Sequence, residues 1–293
     1  MGRTLSLVWL LCLPLRLAAQ QVDVSWLRQP PRQGAFTYVI VRAAAGDSVR
    51  GTLAGTPLFF TAGDDGTFIA LAGVPLDAPD SVVVIVSLVR VGGRATPVAT
   101  YLPVRQASYP SERLRVAPEF TRPPDSALAA RIARESGLAR AVSQQALATP
   151  RLWQGAFRAP CSSAITSGYG RGRVFNGVVQ SRHLGTDFDG AVGDSVVVTN
   201  GGVVALVGDF YYAGRIVYVN HGAGLVSAYM HLSKAEVAAG DTVVAGQLLG
   251  RVGRSGRVTG PHLHWSVKYG PQSLDGATLL ALPPLESVAR RAQ

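Results

Sequence analysis

Two cysteines in 293 residues, Cys12 and Cys161, are too few for a disulfide framework. Lysine is almost absent as well: only Lys234 and Lys268 occur, so the basic side is carried by arginine. Charged residues make up 16% of the chain against 47% hydrophobic ones, a balance that excludes global disorder and leaves room for a sizeable core. No apolar run approaches the ~20 residues of a membrane-spanning helix. Thirty-three Gly and eighteen Pro show no short period, which excludes a collagen-like chain and points to many turns between short strands. No histidine precedes His183.

A formal charge of +10, nearly all arginine, favours anionic partners: nucleic acid, anionic lipid or an acidic extracellular polymer. The N-terminus narrows this. Met1-Gly2-Arg3 is followed by an apolar run from Leu5 to Leu15 and then by the small residues Ala18 and Ala19. That order is the signature of a cleaved export signal, expected over residues 1–19. The mature chain is then expected in the periplasm, the cell envelope or outside the cell, with no integral membrane span and no nucleic-acid partner. Cys12 would leave with the signal, and Cys161 would remain alone as a small packed residue.

Residues 20–117 read as short strands. Phe36 to Val41 and Ser81 to Val91 are β-branched runs, and Leu58-Phe59-Phe60 and Phe68-Ile69-Ala70-Leu71 flank the turn Gly63-Asp64-Asp65-Gly66 as an expected hairpin. The spacing predicts a small Ig-like β-sandwich serving as spacer or binding module, with no catalytic constellation. Residues 118–150 form a linker in which Asp125 or Ser126 caps a helix from Ala127 to about Gln145, with Leu128, Ile132, Leu138 and Val142 as an irregular apolar face. Residues 151–277 return to Gly/Val-rich strands and are expected to form a wholly β, antiparallel domain. Residues 278–293 are a short tail, helical from Ser287. The chain is therefore expected to be mainly β.

All five histidines lie in the last domain. His183 and Asp187 stand four apart across Gly185 and Thr186. His262 and His264 are two apart, so on a strand both imidazoles point one way while Leu263 and Trp265 point the other. His231 ends the alternating stretch from Ser227. Any one of these is weak. Taken together they supply imidazoles and a carboxylate from separate strands, which suits one zinc ion with three protein ligands and an open position; the lack of Cys ligands argues against a closed structural site. His221 is read as structural, and Tyr169 and Tyr229 are candidate groove residues.

His183-Leu184-Gly185-Thr186-Asp187, Tyr229-Met230-His231-Leu232-Ser233 and Gly260-Pro261-His262-Leu263-His264, in that order, resemble the motifs of the lysostaphin/LytM-type zinc metallopeptidases. The Gly240-Asp241, Gly246-Gln247 and Gly250-Arg251-Val252-Gly253 turns match as well. The resemblance covers about Trp153 to Tyr269 and implies a duplicated-hybrid-motif fold that binds one zinc per chain and cuts peptidoglycan peptides. It implies His183, Asp187 and His264 as zinc ligands and His231 and His262 as catalytic histidines beside them. Thr186 departs from the pattern, where an aliphatic residue is commoner. The rival readings are a non-catalytic LytM-like activator of other wall hydrolases, a zinc hydrolase of other bonds such as esters, and a β-barrel carrier or lectin module. The carrier would need an exposed lysine at a hairpin tip, and neither Lys234 nor Lys268 sits in one.

Overall fold

The computed structural model describes residues 22–43, 48–63, 66–89, 96–177 and 179–291. The expected export signal lies outside them. Among the described residues no helix is long and apolar enough to cross a membrane.

Two four-stranded antiparallel sheets form the N-terminal sandwich. One carries Asp23–Trp26, Phe36–Arg42, Thr67–Gly73 and Thr61–Ala62; the other carries Thr56–Leu58, Ser48–Leu53, Ser81–Val89 and Thr96–Pro103. In Ser81–Val89 the period of two is plain, with Val82, Val84, Val86 and Leu88 facing inward. They meet Val39, Val41, Phe68 and Ala70 of the first sheet. The expected hairpin forms differently. Ile69 and Phe68 pair with Thr61 and Ala62, while Leu58 belongs to the opposite sheet, where it packs into the sandwich core. The chain therefore changes sheets between these positions.

Strand Phe36–Arg42 is buried on both faces. Val39 and Val41 enter the sandwich, while Phe36, Tyr38 and Ile40 join a second core with Trp153, Tyr229, Leu263, Trp265 and the C-terminal residues Leu285 and Val288. Polar contacts reinforce this seam: Tyr38 Oη donates to the Pro283 carbonyl (2.9 Å), the Phe36 N–H donates to Thr278 Oγ1 (2.8 Å), and Arg32 pairs with Asp275. The tail contributes helix Gly276–Leu280 and helix Leu285–Arg291, the latter starting slightly before the expected Ser287.

The linker helix spans Ser126–Ala148, and Asp125 accepts a hydrogen bond from the Leu128 N–H at 2.8 Å, the expected cap. Its buried face matches the expected one only at Val142. Val142, Ser143 and Ala146 are buried, Leu128 and Ile132 are only half-buried, and Leu138 is exposed. The helix docks its C-terminal half onto Ile216, Tyr218, Val226 and Ala228, so burial follows the sheet it meets rather than its own weak periodicity.

The C-terminal sheet runs Ile165–Ser167, Thr186–Phe188, Leu263–Tyr269, Leu225–Ala235, Gly214–Gly222, Gly202–Phe210 and Thr242–Val243, with strands Ser195–Val197 and Leu248–Val252 attached through Leu225–Ala235. A small sheet stands beside it. Gly172–Phe175 pairs antiparallel with Val179–Arg182 and parallel with Ser111–Leu114, a strand contributed by the region read as spacer.

Candidate metal centre and cleft

Register brings the first two groups together. Asp187 and His264 are direct partners on neighbouring antiparallel strands, so their side chains emerge side by side. His183 arrives from the loop just before Thr186–Phe188. That loop runs so close to the strand that a Cβ at Gly185 would lie 2.4 Å from His264 Nε2 and 2.6 Å from the Trp265 carbonyl. Only glycine permits this approach.

The three groups converge. His183 Nε2 lies 3.0 Å from Asp187 Oδ1 and 3.0 Å from His264 Nδ1, and His264 Nδ1 lies 2.7 Å from Asp187 Oδ1. His183 Nδ1 lies 2.9 Å from the Gly168 carbonyl, which can only accept, so this nitrogen donates and Nε2 carries the lone pair. A lone pair, a carboxylate oxygen and a second imidazole nitrogen then face one another in a buried site. Such a set needs positive charge among the three atoms, which protons on the rings or a bound cation supply. The donor types, their number and the outer hydrogen bond to His183 fit a zinc ion. Burial pushes the Asp187 carboxyl up, but contacts with His183 and His264 outweigh it and hold the group well below the usual carboxylate range. Burial pulls the His264 imidazole down.

Asp187 Oδ2 is held separately by Arg173 Nη2 at 2.5 Å, and Arg173 Nε in turn donates to Glu112 Oε1 at 2.7 Å. Neither Arg173 nor Glu112 was marked by any sequence signal: Arg173 is one arginine among many, and Glu112 comes from the strand outside the domain. Glu112, Leu114 and Val116 all line the cleft over the site, so the spacer region is part of its wall. Arg173→Ala is expected to weaken metal binding ~10–100-fold, the usual cost of losing an outer-shell partner. Competition with a chromogenic chelator measures this directly.

His231 needs a special backbone. In unbroken alternation it would share the face of Tyr229, which is fully buried in the core. Instead, two steps of one strand, Arg215 to Val217, face three of the other, Tyr229 to Leu232, so one extra residue is accommodated in a bulge. His231 has φ +63°, the left-handed region. The bulge turns its ring into the cleft, 4.8 Å from the ring of His262 between centroids and 5.9 Å from that of His264. The Nδ1 atoms of His231 and His262 lie 2.8 Å and 2.9 Å from the carbonyls of Ser255 and Gly260. Both therefore donate there, which leaves Nε2 of each ring as the nitrogen without a protein hydrogen bond. Burial, with His264 and His262 adding to it, brings the His231 pKa down to about 3, so this imidazole is neutral near pH 7. His262 Nε2 is 3.7 Å from Asp187 Oδ1. These groups open onto a cleft of about 270 Å³ that Ser167, Phe175, Asp189 and Arg257 also line.

The remaining sequence expectations fall outside the cleft. His221 is fully buried, with Nδ1 2.7 Å from the Gly201 carbonyl and Nε2 2.8 Å from Ser227 Oγ, and burial takes its pKa down to about 4: a structural residue, as read. Tyr229 is not a groove residue, because its hydroxyl is tied to Thr199 and Ser227 inside the core. Nor is Tyr169, which is buried with its hydroxyl donating to the Ser273 carbonyl at 2.7 Å. Cys161 packs half-buried against the main core, and burial raises its thiol pKa. The Thr186 hydroxyl is buried without a hydrogen-bond partner, so an aliphatic side chain would fit there equally well.

Residues 181–276 match the family described as peptidase family M23. Among curated proteins, the peptidoglycan DD-endopeptidase ShyA of Vibrio cholerae is 44% identical over 85 residues, covering 29% of this chain and 20% of that one. The glycyl-glycine endopeptidase ALE-1 of Staphylococcus capitis is 39% identical over 100 residues, covering 33% of this chain and 28% of that one. The matched region spans about a fifth to a quarter of the length of the first curated relatives. A crystal structure of a candidate M23 peptidase from Pseudomonas aeruginosa superimposes with a TM-score of 0.65 over 87% of this chain and 96% of its own, at 24% identity, and so shares the fold of both halves. With the three blocks of the motif intact and the family match falling on them, the chain belongs to peptidase family M23, the lysostaphin/LytM-type metallopeptidases.

Proposed function

We propose that this chain is an exported zinc metalloendopeptidase that hydrolyses peptide bonds of cell-wall peptidoglycan. The observation that carries the reading is the convergence of His183 Nε2, Asp187 Oδ1 and His264 Nδ1 beside two further imidazoles whose Nε2 atoms carry no hydrogen bond to protein and face the same cleft. Peptidases of family M23 depend on zinc. When bound, zinc supplies Lewis-acid polarisation of the scissile carbonyl and makes water acidic near neutral pH.

The chain's own groups do the rest. His183, Asp187 and His264 are the proposed ligands, with Arg173 and the Gly168 carbonyl fixing two of them in orientation. His231, neutral near pH 7, can take a proton at Nε2 from the attacking water, and His262 presents the same atom beside it. Once protonated, the same atom donates: to the oxyanion of the tetrahedral intermediate, or to the leaving nitrogen as the C–N bond breaks. Burial of the site strengthens these interactions relative to water. The N-terminal region, proposed as a domain over 20–117 and joined by a linker over 118–150, supplies part of the cleft wall through Glu112, Leu114 and Val116.

The named relatives act on different bonds, a DD cross-link in one and a glycyl-glycine bond in the other, so the bond is fixed by experiment. Purified full chain is incubated with isolated peptidoglycan, and the products are identified by muropeptide mass analysis. The expected result is new peptide termini on intact glycan strands, abolished by a chelator and restored by zinc. No release by zinc-loaded protein overturns the reading. Release only when another hydrolase is added would instead identify a non-catalytic activator, against which the intact ligand set stands.

A further inference from the structure

The loop that delivers His262 also carries Arg257, which the mechanism above does not use. Its backbone N–H donates to the Tyr212 carbonyl at 2.9 Å, fixing the loop. The guanidinium carbon lies 4.2 Å from the ring centroid of Phe175 and 4.5 Å from that of Tyr212. Two aromatic rings thus hold this half-buried cation. Among the described residues no carboxylate forms an ion pair with Arg257, and its guanidinium donates no hydrogen bond to protein. The charges around it confirm the imbalance: the basic neighbour is Arg173, whose own charge is already matched by Glu112 and Asp187. Asp189, another carboxylate in the cleft wall, instead accepts from the Gly190 N–H at 2.9 Å.

Arg257 lines the cleft together with Asp187, His231 and His262, and on its other side it lines a second hollow with His183 and His264. A partly desolvated cation with no counter-charge is unfavourable unless a ligand supplies one. Aromatic rings hold the guanidinium, leaving its in-plane N–H fork as the outlet, and that fork matches the two oxygens of a carboxylate.

We propose that Arg257 is a specificity-determining residue that binds a free carboxylate of the substrate peptide. This rests on the peptidase reading and deepens it: the chain would select peptides with an ionised carboxyl within reach of the scissile bond.

The test uses zinc-loaded full chain and a set of defined cross-linked stem peptides, each amidated at a single carboxyl, beside the free-acid parent. One of these amidations is expected to lower kcat/KM of the native protein ~10–100-fold, chiefly through KM, as loss of a charge-assisted hydrogen-bond pair would. In Arg257→Gln the same amidation should change kcat/KM by less than about threefold, and in Arg257→Lys, which keeps the charge without the fork, by an intermediate factor. Native protein indifferent to every amidation overturns the proposal, and that measurement needs no variant to fold. So does an Arg257→Gln protein that keeps the full penalty with native zinc content. Failure of the native protein to cut any of the peptides overturns the peptidase reading instead.

Discussion

His183→Ala and Asp187→Ala proteins are expected to emerge from dialysis without zinc, while the native protein retains one ion per chain. With three protein donors, removal of one leaves two, and the lost affinity should exceed the ~10–100-fold that outer-shell changes cost. Asp187→Ala carries an added penalty. It strips Arg173 of one of its two carboxylates, although Glu112 still neutralises the guanidinium. Metal analysis by mass spectrometry of matched samples is decisive, and zinc equal to that of native protein in both variants would refute the ligand assignment. Activity should fall with the metal and should not return on adding zinc at native levels.

His262→Ala behaves oppositely: zinc is kept and turnover is lost, with kcat reduced ~10²–10⁴-fold, the usual range for a general acid–base group or an oxyanion donor. KM should change little, because the histidine acts on the reacting atoms rather than on the bound peptide. The same result is expected at His231, where the backbone offers a useful control. A residue at φ +63° carries a left-handed penalty of ~1 kcal/mol that glycine does not. His231→Gly relieves that strain and offsets part of the lost packing and Ser255 hydrogen bond, so a melting scan of this variant separates lost turnover from unfolding. A His231→Gly enzyme with native kcat would remove this residue from the mechanism.

The parts of the site written locally were legible in the sequence. A His-X-His pair on a strand has to place both rings on one face, and Leu263 and Trp265 are indeed in the core on the other. The cap at Asp125 and the strands Phe36–Arg42 and Ser81–Val89 were equally local signals. What depended on distant chain was not legible. Glu112 reaches Arg173 only because Ser111–Leu114 adds to the edge of Gly172–Phe175, a pairing that no short-range pattern encodes. The buried face of the linker helix is set by Ile216 and Tyr218 beneath it. Tyr229 looked accessible beside a catalytic motif, but the bulge at His231 separates the two onto different sides of the sheet.

Apart from Arg42 at its end, strand Phe36–Arg42 has no outer surface. One row of its side chains belongs to the sandwich and the alternate row belongs to the core beneath the metal centre, where the chain's last helix also packs. Trimming the molecule back to 181–276 would uncover that second row's partners as a sticky apolar patch, and would discard Glu112 in the same cut. The candidate metal centre and the sandwich in front of it thus share one continuous core, and a single melting transition is expected for both.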